Sequence, residues 1–169
     1  MKKQTIILIL VIIFALICGV LNAQSNFRLN KTDSFNFGIV VDPCASIKEK
    51  GLNIGAEIEY VGTVYTRASV TYFGVLNGGY LDLIGAIGLN FTSGYFEQFR
   101  YYAGGRLGVI RRSNNTYPTA GIEAGIDYKI TDGISIGLRT TYDNRTDFEF
   151  YGEPSAMRQS GFIKLGFQL

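Results

Sequence analysis

Apolar and polar residues alternate along most of this chain with a period of two. The clearest stretch runs from Thr119 to Ile130. Ala120, Ile122, Ala124, Ile126, Tyr128 and Ile130 fall on one side of it, and Thr119, Gly121, Glu123, Gly125, Asp127 and Lys129 on the other. Successive side chains of a strand point to opposite faces, so the pattern predicts a β-strand with one apolar and one polar face. Seven further segments follow the same rule, over residues 35–41, 52–60, 64–72, 81–91, 100–109, 134–142 and 160–169. Each is near the ~9–11 residues that a tilted strand needs to cross a bilayer. None of the eight apolar faces carries a charged residue. An even strand number, no leftover helix and a final strand reaching Leu169 are what closure into a barrel requires.

The connections fall into two alternating sets. Val61-Gly62-Thr63 and Thr131-Asp132-Gly133 read as tight hairpin turns, with residues 92–98 a longer member of the same set. The other set holds residues 42–51, 74–79, 111–118 and 143–158. In a membrane barrel the short turns face the periplasm and the longer loops the cell exterior. Residues 24–33 read as a polar, loosely ordered leader, and 34–169 as the barrel domain.

Alternation alone does not say which face points inward. A soluble lipocalin-like barrel, periplasmic or secreted and carrying a hydrophobic ligand, uses the same period with apolar residues inside. Three features favour the opposite arrangement. The polar faces are rich in glycine (Gly38, Gly55, Gly88, Gly104, Gly108, Gly121, Gly125, Gly137, Gly166). Glycine weakens a solvated strand, but in a narrow bore it makes room for long charged side chains. Aromatic residues of the apolar faces gather at strand ends: Tyr60, Phe91, Tyr101, Tyr128 and Phe167 at one rim, Tyr72 and Tyr142 at the other. Two such girdles are expected where a barrel meets the two membrane interfaces. Finally, Ile163, Leu165, Phe167 and Leu169 alternate up to the last residue, resembling the terminal strand that outer-membrane barrel-insertion machinery reads.

The start of the sequence sharpens the compartment. Lys2-Lys3, an apolar run from Ile6 to Val20 and the exit Leu21-Asn22-Ala23 have the layout of a secretory signal peptide cleaved after Ala23. Leu16-Ile17 before Cys18 lacks the small residue that lipid modification wants. Cleavage removes Lys2 and Lys3, leaving 14 of the 16 basic residues against 14 acidic ones, so no basic excess points to nucleic acid. Beyond the signal there is no apolar run long enough for a membrane helix, and a closed barrel is then the remaining way to span lipid. Cys44 is the single cysteine left, which excludes an internal disulfide, and the chain has no histidine to activate it as a nucleophile.

The inward set contains Glu57, Glu59, Asp82, Glu123 and Asp127 against Arg67, Arg100, Arg106, Lys129, Arg139 and Lys164, with Asp143 at the rim. Opposite charges across a narrow bore predict a linked salt-bridge core. A three-residue turn at 61–63 places Glu57 opposite Arg67, and the turn at 131–133 places Gly125 opposite Arg139 with Asp127 as its diagonal neighbour. A structural role for this network outranks the alternative of a small gated channel, because an eight-stranded bore is normally filled by its own side chains. Adjacent cations hold Glu57 and Glu59 ionised, the wrong state for a general acid. No metal-ligand spacing and no strand-to-helix glycine loop appear, so no enzyme activity, metal or cofactor is expected.

Function is then expected in the loops. Asp147-Phe148-Glu149-Phe150-Tyr151 within the 143–158 loop places aromatics between acids, a candidate anchor for a protein partner; packing on the barrel rim explains it equally well. Arg111-Arg112 beside Ser113-Asn114-Asn115 reads as a solvated loop. Taken together, the strands, the charged bore, the girdles and the terminal strand resemble the small OmpA/OmpX-like outer-membrane barrel proteins. That resemblance implies an eight-stranded antiparallel up-and-down transmembrane β-barrel in the outer membrane of a Gram-negative cell, in contact with lipid and with the insertion machinery during assembly. It also implies a non-enzymatic structural or partner-binding role, in adhesion or as a secretion accessory. With no peptidoglycan-binding domain read after the barrel strands, the anchoring role of longer members is not expected to carry over.

Overall fold

The structure is a computed structural model that describes residues 27–49, 51–74, 79–93, 98–147 and 156–169. The stretch read as a signal peptide (residues 1–23), the start of the leader and Phe148, Glu149, Phe150 and Tyr151 lie outside the described residues. In chain order the elements are β1 (Phe27–Leu29), β2 (Ser34–Val41), α1 (Pro43–Glu49), β3 (Asn53–Val61), β4 (Val64–Phe73), β5 (Tyr80–Ser93), β6 (Phe99–Arg112), β7 (Asn115–Lys129), β8 (Ile134–Arg145) and β9 (Met157–Gln168).

Strands β2 to β9 each pair antiparallel with the next, and β9 pairs back on β2 from Asn36↔Gln168 to Val41↔Ile163. The result is a closed eight-stranded antiparallel barrel. The period-two pattern sorts onto its two sides. Leu107 is 69% exposed and Ile122 64%, whereas Glu59 and Lys164 are each only 2% exposed. The apolar faces therefore form the outer wall and the charged faces line the bore. On the outward positions of β2–β9 the one charged side chain is Arg111, at the long-loop rim.

Several boundaries differ from the sequence reading. Strands β5, β6 and β7 run to 14, 14 and 15 residues, longer than the period alone suggested. Residues 111–118 are not a loop: Arg111 and Arg112 end β6, and the turn is only Ser113-Asn114, with Ser113 at φ 53°. Pro118 is tolerated within β7, opposite Val109, because the β8 ladder stops one residue away at Thr119↔Arg145. The connection after β2 holds a helix that alternation could not reveal. Asp42 caps it, its Oδ1 accepting the Ala45 N–H at 2.8 Å, and Pro43 fits the first turn, where no donor is needed.

The leader is also more ordered than its polarity suggested. β1 pairs with the end of β5 from Phe27↔Ser93 to Leu29↔Phe91. The chain then passes beneath the β3–β4 turn. The Asn30 N–H donates to the Asn90 carbonyl at 3.1 Å, Thr63 Oγ1 donates to the Asn30 carbonyl at 2.7 Å, and Asn90 Nδ2 donates to the Gly62 carbonyl at 2.8 Å. Buried Asn90 thus ties the strap of residues 27–33 to the turn it crosses.

Candidate functional site

The bore is the candidate site, and register determines which charges meet. Glu59, not Glu57, stands opposite Arg67, while Glu57 faces Ser69. The turn at 61–63 shifts the pairing by two residues from a simple three-residue hairpin. Gly125 does face Arg139, with Asp127 opposite Gly137.

Five carboxylates and five cations converge in the bore: Glu57, Glu59, Glu123, Asp127 and, nearer the long-loop rim, Asp143, with Arg67, Arg100, Arg106, Arg139 and Lys164. Glu57 accepts from Arg139 at 2.6 Å and lies 3.7 Å from Arg67. Glu59 accepts from both terminal nitrogens of Arg100, at 2.9 and 2.5 Å, the fork geometry that suits arginine to a carboxylate. Glu123 accepts from Arg67 and from the Tyr65 hydroxyl, the latter at 2.6 Å. Lys164 Nζ joins Asp127 at 2.5 Å, Glu59 at 3.4 Å and Glu57 at 3.8 Å. Arg106 meets Asp143 at 3.1 Å. Every one of these side chains is buried or nearly so, and each charge has an opposite neighbour, the condition under which buried ions are tolerated.

Rings fill the space between the charges. The Arg100 guanidinium lies 4.6 Å from the Tyr102 ring centre, and Arg139 4.9 Å from that of Phe162. The inward glycines set the spacing: Gly88 faces Gly104 across the β5–β6 ladder, under Tyr65. A Cβ on Gly104 would stand 2.6 Å from Tyr65 Oη, whereas one on outward-facing Gly105 would meet nothing within 4 Å.

Two expected members of the network lie elsewhere. Asp82 belongs to a separate cluster near the long-loop rim, where Arg145 approaches it at 3.2 Å. Lys129 is exposed at the opposite mouth, because β7 carries it past the ring of acids. Asp147, expected in an exposed partner loop, is fully buried instead. It pairs with Arg145 at 3.1 Å and Arg112 at 3.6 Å. The odd-numbered inward series of β8 (Arg139, Thr141, Asp143, Arg145) simply continues to Asp147. Sequence reading missed Arg112, Arg145 and Arg158 for the same reason, since the alternation was stopped at the supposed loops.

The long-loop end of the bore is apolar as well as charged. Val40, Ala45, Phe73, Tyr80, Ile110, Tyr117 and Phe162 form one buried cluster, with Ala45 supplied by α1. Phe73 and Tyr80 stack at 4.6 Å, and the Arg145 guanidinium lies 4.5 Å from the Tyr80 ring centre. On the outer wall, Tyr60, Phe91, Tyr101, Tyr128 and Phe167 lie at the short-turn rim and Tyr72 and Tyr142 toward the other. Phe35 and Phe99 add to the first group, meeting Tyr60 at 5.3 Å and Tyr128 at 5.0 Å.

A closed eight-stranded barrel with an apolar wall and an ion-paired bore is the class that this geometry defines. No family model matches the chain, and no curated protein matches it in sequence. Solved structures share its fold. A computationally designed transmembrane β-barrel superposes with a TM-score of 0.53 at 13% identity, covering 83% of this chain and 99% of the design. Neisserial surface protein A gives 0.51 at 12% identity, over 81% of this chain and 96% of its own. The outer membrane protein Ail of Yersinia pestis gives 0.49 at 10% identity, over 82% and 100%. For the first two, at these identities, the likeness is one of fold.

Proposed function

We propose that this chain is an integral outer-membrane barrel of the small OmpA/OmpX-like kind, non-enzymatic, with a closed bore and a structural or partner-binding role. The observation that carries the reading is the inversion of polarity. Exposed apolar side chains cover the wall, and soluble monomers rarely expose contiguous apolar patches beyond a few hundred Å². A lipocalin-like carrier needs the reverse, an apolar cavity inside a polar shell. Here ion-paired charged groups line the interior, the ten of the central network and Asp82, Arg145 and Asp147 beyond them.

The aromatic rims support anchoring at two lipid interfaces, and the signal-like first 23 residues support export. The five-by-five ion network and the apolar cluster behind it support a bore that does not conduct. Partner contact then falls to the surface. Phe148, Glu149, Phe150 and Tyr151 are its candidates, without Asp147, which turns into the bore.

Cell fractionation followed by gels of boiled and unboiled samples tests the reading. Recovery with the outer membrane and a heat-dependent mobility shift are expected. Recovery in the soluble periplasm with no shift overturns the membrane assignment, and a large steady conductance in planar bilayers overturns the closed bore.

A further inference from the structure

The mouth on the short-turn side holds a cavity of about 220 Å³, bounded by the strap of residues 28–32 and by the turn at 131–135. Most of its lining residues carry a hydroxyl, an amide or a charge, with Leu29, Val61 and Ile134 among them. In the bore behind it, every cation has a carboxylate. At this mouth that matching stops. Arg28, Lys31 and Lys129 all line the cavity, are exposed, and make no ion pair among the described residues. Among the described residues, the acids on the lining are Asp127, already held by Lys164 at 2.5 Å, and Asp132 on the turn. Arg100 also lines the cavity and is only 9% exposed. Its terminal nitrogens serve Glu59, and its Nε has no hydrogen-bond partner.

We propose that this cavity binds a small oxyanion, a phosphate or carboxylate group, held by Lys129 together with Arg28 and Lys31 of the strap, over Arg100. Cations converging on a cleft with low-dielectric walls concentrate positive potential there, and the guanidinium and ammonium groups present are the usual partners of such anions. The site is built in advance. β1 pairing fixes Arg28 opposite Thr92, and the Asn30–Asn90–Thr63 bonds hold the strap across the mouth, so little ordering is left for the ligand to impose. The oxyanion can be free phosphate or the phosphate of a lipid headgroup at the rim.

The test uses the full chain refolded in a non-ionic detergent and phosphate-free buffer at low ionic strength, with backbone amide NMR shifts as the readout. Inorganic phosphate is titrated in one arm, and mixed micelles containing phosphatidylglycerol in the other. Saturable shifts at Lys129, Asp132 and Gly133 are expected. Lys129→Gln should weaken binding about two- to fivefold, the effect of one exposed charge pair, and Arg28→Gln with Lys129→Gln roughly tenfold. Arg111→Gln, which removes an exposed cation at the opposite rim, should leave it unchanged. Shifts from phosphatidylglycerol alone support the site with a lipid headgroup as its oxyanion. No saturable shift in either arm, or equal weakening by Arg111→Gln, overturns the proposal.

Discussion

Replacing Lys164 with methionine tests how dry the bore is. Lys164 is 2% exposed, and its ammonium lies 2.5 Å from Asp127, 3.4 Å from Glu59 and 3.8 Å from Glu57. Without it, Glu57 keeps Arg139 at 2.6 Å and Glu59 keeps both bonds from Arg100. Asp127 is left with Arg100 at 3.4 Å, a cation already committed to Glu59. One buried carboxylate thus loses its main partner, a class of change that costs about 3–5 kcal/mol. The residual share of Arg100 places the expectation at the lower end, about 3 kcal/mol. Adding Asp127→Asn removes the stranded charge, so the double variant should recover about 2 kcal/mol of that loss. Equilibrium urea unfolding in micelles measures both, followed by gel mobility and far-UV circular dichroism, since the chain has no tryptophan to report. A cost under about 1 kcal/mol with no coupling is the behaviour of a solvated pair. That result would refute the filled bore and favour a wet path through it.

Two further substitutions test packing and backbone. Gly104→Ala should destabilise by about 1–3 kcal/mol, because its methyl would run into the Ile87 carbonyl and stand 2.8 Å from Gly88 Cα and 2.6 Å from Tyr65 Oη, while Gly105→Ala on the open outer wall should change stability by less than about 0.5 kcal/mol. The urea midpoints at unchanged slope decide this, and equal effects at the two positions would contradict the assignment of faces. Ser113→Gly should stabilise by up to about 1 kcal/mol, since φ of 53° suits glycine better than serine; an unchanged or lower midpoint would show that the turn carries no strain.

Alternation of period two made the barrel legible, because each face of a strand meets a single environment along its whole length. The pairs were less legible. Which acid meets Arg67 depends on the β3–β4 turn, where a shift of two residues exchanges Glu57 for Glu59 without changing either face. Depth was also hidden: Lys129 shares the inward face with Asp127, yet lies beyond the ring that would neutralise it. The short α1 helix rests on a cap and one proline, signals too local to register as periodicity. Asp147 was misplaced because a mixed run of acids and aromatics looks like a loop, although its spacing continues the β8 series.

The seam between β2 and β9 has a consequence for how the barrel forms and fails. It comprises six register pairs, against fourteen between β6 and β7, and it joins segments more than 120 residues apart, as in Val41↔Ile163. Every other junction of the eight-stranded ring is a hairpin between neighbours in sequence and can form as soon as its two strands are present. The seam closes last, carrying nearly the whole cost of ring closure on the fewest bonds. Until it closes, β2 and β9 are open edges that can capture any extended chain nearby. Assembly is therefore most exposed to error, and the finished cylinder most easily unzipped, along that one line.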